Sequence, residues 1–473
     1  MLKTLFACLL IGTTPMSQAA MPDNTDFLKA VKEHYQASID FKKYAIHYSF
    51  EFERAYQAYN YLEPHAGHTA MYAEVDLGRK LYADHSITSW PGGFVFDFKE
   101  FQTDAGAFQY DVNGLIDGKR VRRLGPNAYT NTAAYHGGKV DFLAILPLLE
   151  TTLASPNIKV TAGTMQGHTD IVHTQGENST TYTFTNTPIQ LVSIHRSTDN
   201  TKINYGQYVN RGNLRYASLI NQENLTTGVK GVFHIAQVRR ITNLTPEAIV
   251  LPKGYGPVVE KTDRTLKITN IADGLHLITD DSASRNMLAK TSTDGIMVFG
   301  APIDDELSEE TIALIRAEFP SLPIKSVYIT HPHSDHIGGL TAYAKHGITI
   351  LADTYSIEAI KAYPRFQKDI GRFKFQPITH KELLGGVEFH ILENSHAKGQ
   401  SFAYFPEVGV LYEGDFLEIP YDNSTANHMP VVSKNFIEYV NAEKLNINRI
   451  VGHHRNNNIS AETMNELYRA NTD

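Results

Sequence analysis

Cysteine is nearly missing from this 473-residue chain: its one thiol, Cys8, falls within the first twenty residues. If those residues are a cleaved leader, the mature chain has no thiol, which excludes disulfides, thiolate-bound zinc and a cysteine nucleophile. Long apolar runs are lacking too. No segment reaches the roughly 18 uninterrupted apolar residues of a membrane helix, so stable membrane insertion is not expected. Long cationic blocks are absent as well: 43 Lys and Arg face 51 Asp and Glu for a formal charge of -8, with no more than two Lys or Arg in succession. A nucleic acid or an anionic bilayer calls for a basic patch, so neither is an expected partner. A small molecule is the expected one, and nothing in the pattern speaks to oligomeric state.

What is present begins with a leader. Lys3 supplies a positive start, residues 5–12 a short apolar core, and Ser17-Gln18-Ala19-Ala20 the small residues that signal peptidase requires, with cleavage after Ala19 or Ala20. The apolar core is too short to span a bilayer. The expectation is an exported protein, periplasmic or secreted. The remaining length exceeds one hydrophobic core. Three segments are expected: a signal peptide over 1–20, a β-rich domain over 21–255, and a second domain over 256–473.

The β-rich assignment rests on short alternating runs at 44–52, 93–98, 181–185 and 231–238, punctuated by turn residues such as Pro91-Gly92-Gly93, Asn113-Gly114 and Asp117-Gly118. The 25 Tyr and 23 Phe also favour strands. An antiparallel meander follows, with helices near 26–36 and 141–153, in the form of a curved, half-barrel-like sheet packed on them. Its histidines, among them His65, His68, His85 and His136, are read as surface or satisfied groups. Residues 252–257, rich in Pro and Gly, read as a linker. Beyond it strands alternate with helices: strands at 266–270, 275–279, 295–299, 324–330, 348–352, 387–393, 401–405, 410–413 and 447–451, and helices at 308–319, 339–345, 355–362, 434–444 and from 460. Ser308 is expected to cap the first of these helices, and Pro320 to end it.

One segment concentrates chemistry: Thr330-His331-Pro332-His333-Ser334-Asp335-His336-Ile337-Gly338-Gly339. It follows an Ile/Val/Tyr strand and opens a helix, so its side chains sit in a loop at one end of a sheet. His331 with His333, and Asp335 with His336, offer nitrogen and oxygen donors of borderline hardness, which suit Zn²⁺ and, less selectively, Fe or Mn. Further donors each fall just past a strand: His396, then Asp415 in Glu413-Gly414-Asp415, then His453 and His454. Any one of them alone is an ordinary histidine or turn carboxylate. Together they can meet on a single rim. His346, His380 and His390 are read as satisfied or surface groups. The loop 420–432 is read either as a cover over the site or as a plain solvated loop.

This succession resembles the metallo-β-lactamase superfamily: the His-x-His-x-Asp-His loop, a later His, a Gly-Asp pair and a final His. The resemblance covers about 260–473. It implies an αββα sandwich with two metal ions at one edge, hence an α+β protein overall. By that resemblance the first metal takes His331, His333 and His396. The second takes Asp335, His336 and one of the last two histidines, and Asp415 bridges. Counting from the last strand selects His454 and matching on the preceding glycine selects His453. Both remain candidates, with His454 ahead. Two departures stand out. Gly300 replaces an Asp that supports the site in many relatives, so some loss of rigidity or a compensating partner is expected. Arg455 replaces a common glycine.

Two close dications would lower the pKa of a water between them toward neutrality, with Asp335 and Asp415 as the catalytic carboxylates. The resemblance thus implies hydrolysis without a covalent intermediate. True β-lactamases of the superfamily usually carry Cys or Ser where Asp415 stands. The full set is more similar to the glyoxalase II, lactonase and sulfatase branches. An ester, thioester or lactone is the expected substrate, with a sulfatase or phosphodiesterase of the same superfamily as an alternative. From another class, the alternative is an exported binding protein whose metal domain is structural.

Overall fold

The structure is a computed structural model that describes residues 24–226, 229–260, 262–280 and 285–472. The expected leader over 1–20, with Cys8, lies outside the described residues.

Strands from Lys43–Glu53 to Lys230–Arg240 form one antiparallel sheet. Two meanders run outward in opposite directions, and the first strand Lys43–Glu53 pairs with the last, Lys230–Arg240, to join them. Alternation fixes which face is buried: Tyr44, Ile46 and Tyr48 point inward at period two. They pack on the helix Asn24–His34 and on two helical turns, Asp141–Ala144 and Leu146–Leu149. Tyr82 from one wing and Ile171 from the other join this same core. Thirteen strands about 4.8 Å apart would lie some 60 Å across if flat. Sharing one small helical layer therefore requires the sheet to curl, as the sequence pattern led us to expect.

Two local expectations are corrected. The single helix over 141–153 is two separate turns, because Pro147 starts the second and has no N–H to continue a helical ladder. The helix Ala128–Gly137 was not foreseen: it buries only His136, so it carries no apolar stripe. The Pro- and Gly-rich segment at 252–257 leads to Val258–Val259, which pairs in parallel with Val121–Arg123. The chain leaves the N-terminal sheet only after that point.

The rest builds an αββα sandwich. A seven-stranded sheet runs in chain order from Leu266–Ala272 to Lys374–Pro377, and a five-stranded sheet from Glu382–Leu384 to Arg449–Gly452. The strand Arg285–Ser292 belongs to the first and was missed in the sequence pattern. Between the sheets lies an apolar layer in which Phe299, Tyr328 and Leu351 meet Phe389, Phe405 and Tyr412. Helices Asp305–Glu318, Leu340–Lys345 and Thr354–Ala362 cover one outer face, and Val431–Ala442 and Ala461–Thr472 the other. The helix expected from Ser308 begins a turn earlier. Asp304 caps it by accepting from Leu307 N at 2.8 Å, while Ser308 is buried inside it. Gly338 and Gly339 leave room for this neighbour and the turn before it: a Cβ on Gly338 would collide with Ile303 O, and one on Gly339 with Ser308 Oγ.

Topology sets the rim. The strand Ile324–Tyr328 continues a parallel run, and Val410–Glu413 pairs in parallel with Arg449–Gly452. Their C-terminal ends therefore open on one edge of the sandwich. No helix among the described residues is long and apolar enough to cross a membrane.

Candidate metal centre

Every donor singled out in the sequence arrives at that edge. His331, His333, His396 and Asp415 place one ligand atom each within 4.8 Å of one another, and so do His336, His453 and His454. Asp415 joins the two groups. Its Oδ2 lies 3.2 Å from His396 Nε2 and 3.2 Å from His336 Nε2, and its Oδ1 lies 2.8 Å from His454 Nε2. Asp335 Oδ2 stands 3.4 Å from His454 Nε2 and 3.7 Å from His336 Nε2.

Local backbone explains this aim. Asp415 has φ of 62°, a left-handed conformation that Asp tolerates better than most residues. Gly414 before it has no room for a side chain, because a Cβ would strike Thr330 Oγ1. Glu413 braces the turn from below by accepting from Phe416 N at 2.9 Å and Leu417 N at 3.2 Å. Arg455 also has positive φ, 51°, a conformation that glycine adopts most readily, and it pairs with Glu418 at 3.2 Å.

The outward nitrogens determine the inward ones. A carbonyl only accepts, so His396 Nδ1, 2.7 Å from Gly92 O, must carry its proton. His333 Nε2, 3.2 Å from Ala58 O, must do the same. Their other nitrogens then turn lone pairs inward, the state a cation requires. Charges follow suit. Burial and His336 hold His331 well below the ordinary imidazole range, and burial with His396 brings His333 down to about 3. Burial and Arg285 take His454 to about 4. Burial works against the Asp415 carboxylate, yet His336 and His454 hold it well below the usual range. Burial opposes charge on His336, yet Asp415 and Asp335 raise it above the ordinary imidazole range. The donor set thus brings imidazoles against ionised carboxylates, with His336 Nε2 and His454 Nε2 3.1 Å apart. Such a set fits divalent cations of the zinc kind.

The choice between the last two histidines does not resolve to one residue, since both rings enter. His453 Nδ1 lies 2.7 Å from the Tyr412 hydroxyl, and its buried Nε2 has no hydrogen-bond partner among the described residues. Tyr412 also supplies the compensation expected at Gly300: a Cβ there would lie 2.6 Å from the Tyr412 hydroxyl, so that hydroxyl fills the space an Asp would take.

Several contributors escaped the sequence pattern. Arg285 holds Asp335 Oδ2 at 3.2 Å, and Gln57 donates to Asp335 Oδ1 at 2.7 Å. Gln57, Ala58 and Gly92 come from the N-terminal sheet, where Pro91-Gly92-Gly93 read only as a turn. Its companion Trp90, the chain's single tryptophan, was the one available hint. The satisfied histidines behave as expected: His136 bonds Asp84 and Tyr48, His346 bonds Glu309, and His390 bonds Tyr439. The loop 420–432 is tied down, with Asn427 N donating to Asn113 O at 3.2 Å and Asn456 donating to Pro420 O at 2.7 Å.

The model of the metallo-beta-lactamase superfamily matches residues 298–451. Over those residues the chain is similar to this superfamily, and a hydrolase fold is supported there. A metallo-beta-lactamase type 2 from Bacillus sp. (strain 170) is 22% identical over 209 residues, which is 43% of this chain and 77% of the relative. Among solved structures, a metallo beta lactamase from Hirschia baltica is 15% identical with a TM-score of 0.35, covering 44% of this chain and 99% of its own. One from Erythrobacter litoralis is 17% identical with a TM-score of 0.36, covering 43% and 96%.

Proposed function

We propose that this protein is an exported metal-dependent hydrolase that holds two divalent cations, zinc by preference, and cleaves an ester, thioester or lactone. The observation that carries this is Asp415, whose carboxylate touches both histidine groups: Oδ2 lies 3.2 Å from His396 and from His336, and Oδ1 2.8 Å from His454. His331, His333 and His396 would hold one cation. Asp335, His336 and His454 would hold the other, with His453 within reach. When bound, such a pair activates water and polarises the scissile group.

The protein's own residues do the positioning. Asp415 sets the spacing of the two groups, and Arg285 with Gln57 keeps the Asp335 carboxylate turned toward His454. Access is one-sided: the side chain of Asp335 is 29% exposed and those of His331 and His396 at most 3%. Substrate approaches over Asp335 and His454. With no thiol outside the leader and no serine in the donor set, turnover proceeds without an acyl-enzyme. Asp415 in place of Cys or Ser supports a substrate other than a β-lactam.

Metal analysis of the mature protein, followed by a panel of esters, thioesters, lactones, sulfates and phosphodiesters with and without chelator, tests the reading. Chelator-sensitive turnover on one of the first three supports it. Inertness on every substrate, unchanged by chelator, would leave a binding protein with a structural metal domain.

A further inference from the structure

We propose that the N-terminal sheet is a working part of the metal centre, because two of its loops set the hydrogen bonds that orient one cation's histidines and the other's carboxylate. This inference rests on the two-cation reading above and extends it to residues outside the sandwich.

The first loop joins Lys43–Glu53 to Ala66–Asp76. It brings Ala58 O to His333 Nε2 at 3.2 Å, and Gln57 Nε2 to Asp335 Oδ1 at 2.7 Å and Ser334 Oγ at 3.0 Å. The second joins Leu81–Ser89 to Val95–Thr103. It brings Gly92 O to His396 Nδ1 at 2.7 Å. Trp90 connects the loops: its indole N–H donates to Gln57 Oε1 at 3.1 Å. That bond leaves the Gln57 amide only its NH₂ end to present to Asp335. Backbone anchoring is separate and additional, since Lys398 N donates to Tyr59 O at 2.9 Å and Tyr61 N to the Tyr355 hydroxyl at 3.2 Å.

These contacts are specific to metal geometry in a way that surface packing is not. Both carbonyls select a tautomer, and each selected tautomer leaves the inward nitrogen bare. Gly92 shows how close the approach is: a Cβ there would stand 2.7 Å from His396 Nδ1, 2.8 Å from its Cε1 and 3.4 Å from His333 Cε1. Gln57, Ala58 and Gly92 are positioning residues. Loss of such an outer hydrogen bond typically weakens metal binding roughly 10–100-fold.

The test uses the full chain, stripped of metal and titrated with zinc against a chromophoric chelator, with Trp90 emission as a second readout. Gly92→Ala is expected to raise the Kd of one zinc about 10–100-fold, and Gln57→Ala to weaken the other. Gln57→Ala also removes the Trp90 and Ser334 hydrogen bonds, so its metal-free unfolding midpoint should fall modestly, while circular dichroism matching wild type separates positioning from folding. The Gln57 arm also decides the matter if Gly92→Ala fails to fold. Two zinc ions bound by wild type, with both variants matching its affinities, would overturn this inference alone. A wild-type chain that takes up no zinc would remove the two-cation reading beneath it.

Discussion

Tyr412→Phe separates the roles of the two adjacent histidines. The Tyr412 hydroxyl donates to Asn286 O at 3.2 Å, and with only one proton to give it must accept from His453 Nδ1 at 2.7 Å. That places the His453 proton on Nδ1 and leaves Nε2 bare, facing the space shared with His336 and His454. Removing the hydroxyl strands a buried N–H, which costs about 1–3 kcal/mol of stability. It also frees the ring to change tautomer. If His453 is a metal ligand, zinc affinity at the second position falls about 10–100-fold, equivalent to about 1.4–2.8 kcal/mol. The assay pairs chelator competition for zinc with thermal unfolding of the metal-free protein. Both readings predict the stability loss. Only ligation through His453 predicts the affinity loss. Unchanged zinc affinity in a destabilised variant would refute it and leave His454 as the ligand, with His453 a support.

Asp415→Ala removes the carboxylate shared by the two groups, so zinc stoichiometry should fall below two and turnover should drop by orders of magnitude. Normal loading with wild-type turnover would refute the assignment. In the N-terminal sheet, burial and then Asp84 push Glu100 up to about 7 from an ordinary 4.5. A raised carboxyl binds its proton more tightly in the folded state, so its contribution is full below about pH 4.5 and is lost as pH rises through 7. The difference is on the order of 3 kcal/mol. Glu100→Gln should therefore match wild type in urea unfolding at pH 4.5 and exceed it at pH 8, and equal stability at both would contradict the shift. Phe389→Ala empties a fully buried position between the two sheets and should destabilise the sandwich by about 3–5 kcal/mol in the same assay.

The donors were readable because they are side chains with distinctive chemistry placed just after strands. His331, His333, Asp335 and His336 announce themselves by spacing, and His396, Asp415, His453 and His454 by following Ile391, Glu413 and Gly452 at strand ends. The meander was equally visible through alternation around Tyr44, Ile46 and Tyr48. The joining of its two halves by pairing of Lys43–Glu53 with Lys230–Arg240 was not, because partner choice between distant strands leaves no local mark. The contributions of Ala58 and Gly92 were invisible for a simpler reason. They act through backbone carbonyls, which every residue carries, so no residue type signals them. Tyr412 reads in sequence as a core aromatic, and only the gap left by Gly300 gives its hydroxyl a second use.

The conformations at the rim follow from the same demand. Asp415 and Arg455 are left-handed, and Gly300 has φ of 101°. A non-glycine residue in such a conformation costs of order 1–3 kcal/mol, and it persists only where its surroundings leave no alternative. Here the surroundings are packed imidazoles: His331 Nε2 and His396 Nε2 stand 3.3 Å apart, and His336 Nε2 and His454 Nε2 3.1 Å apart. With His396 protonated on its outer nitrogen, its inner lone pair is left to accept from His331 Nε2. A cation held between the rings would be coordinated by such inward nitrogens. Strain in the loops and crowding of donors are thus two parts of one arrangement, held by the sandwich on one side and by Ala58 and Gly92 on the other.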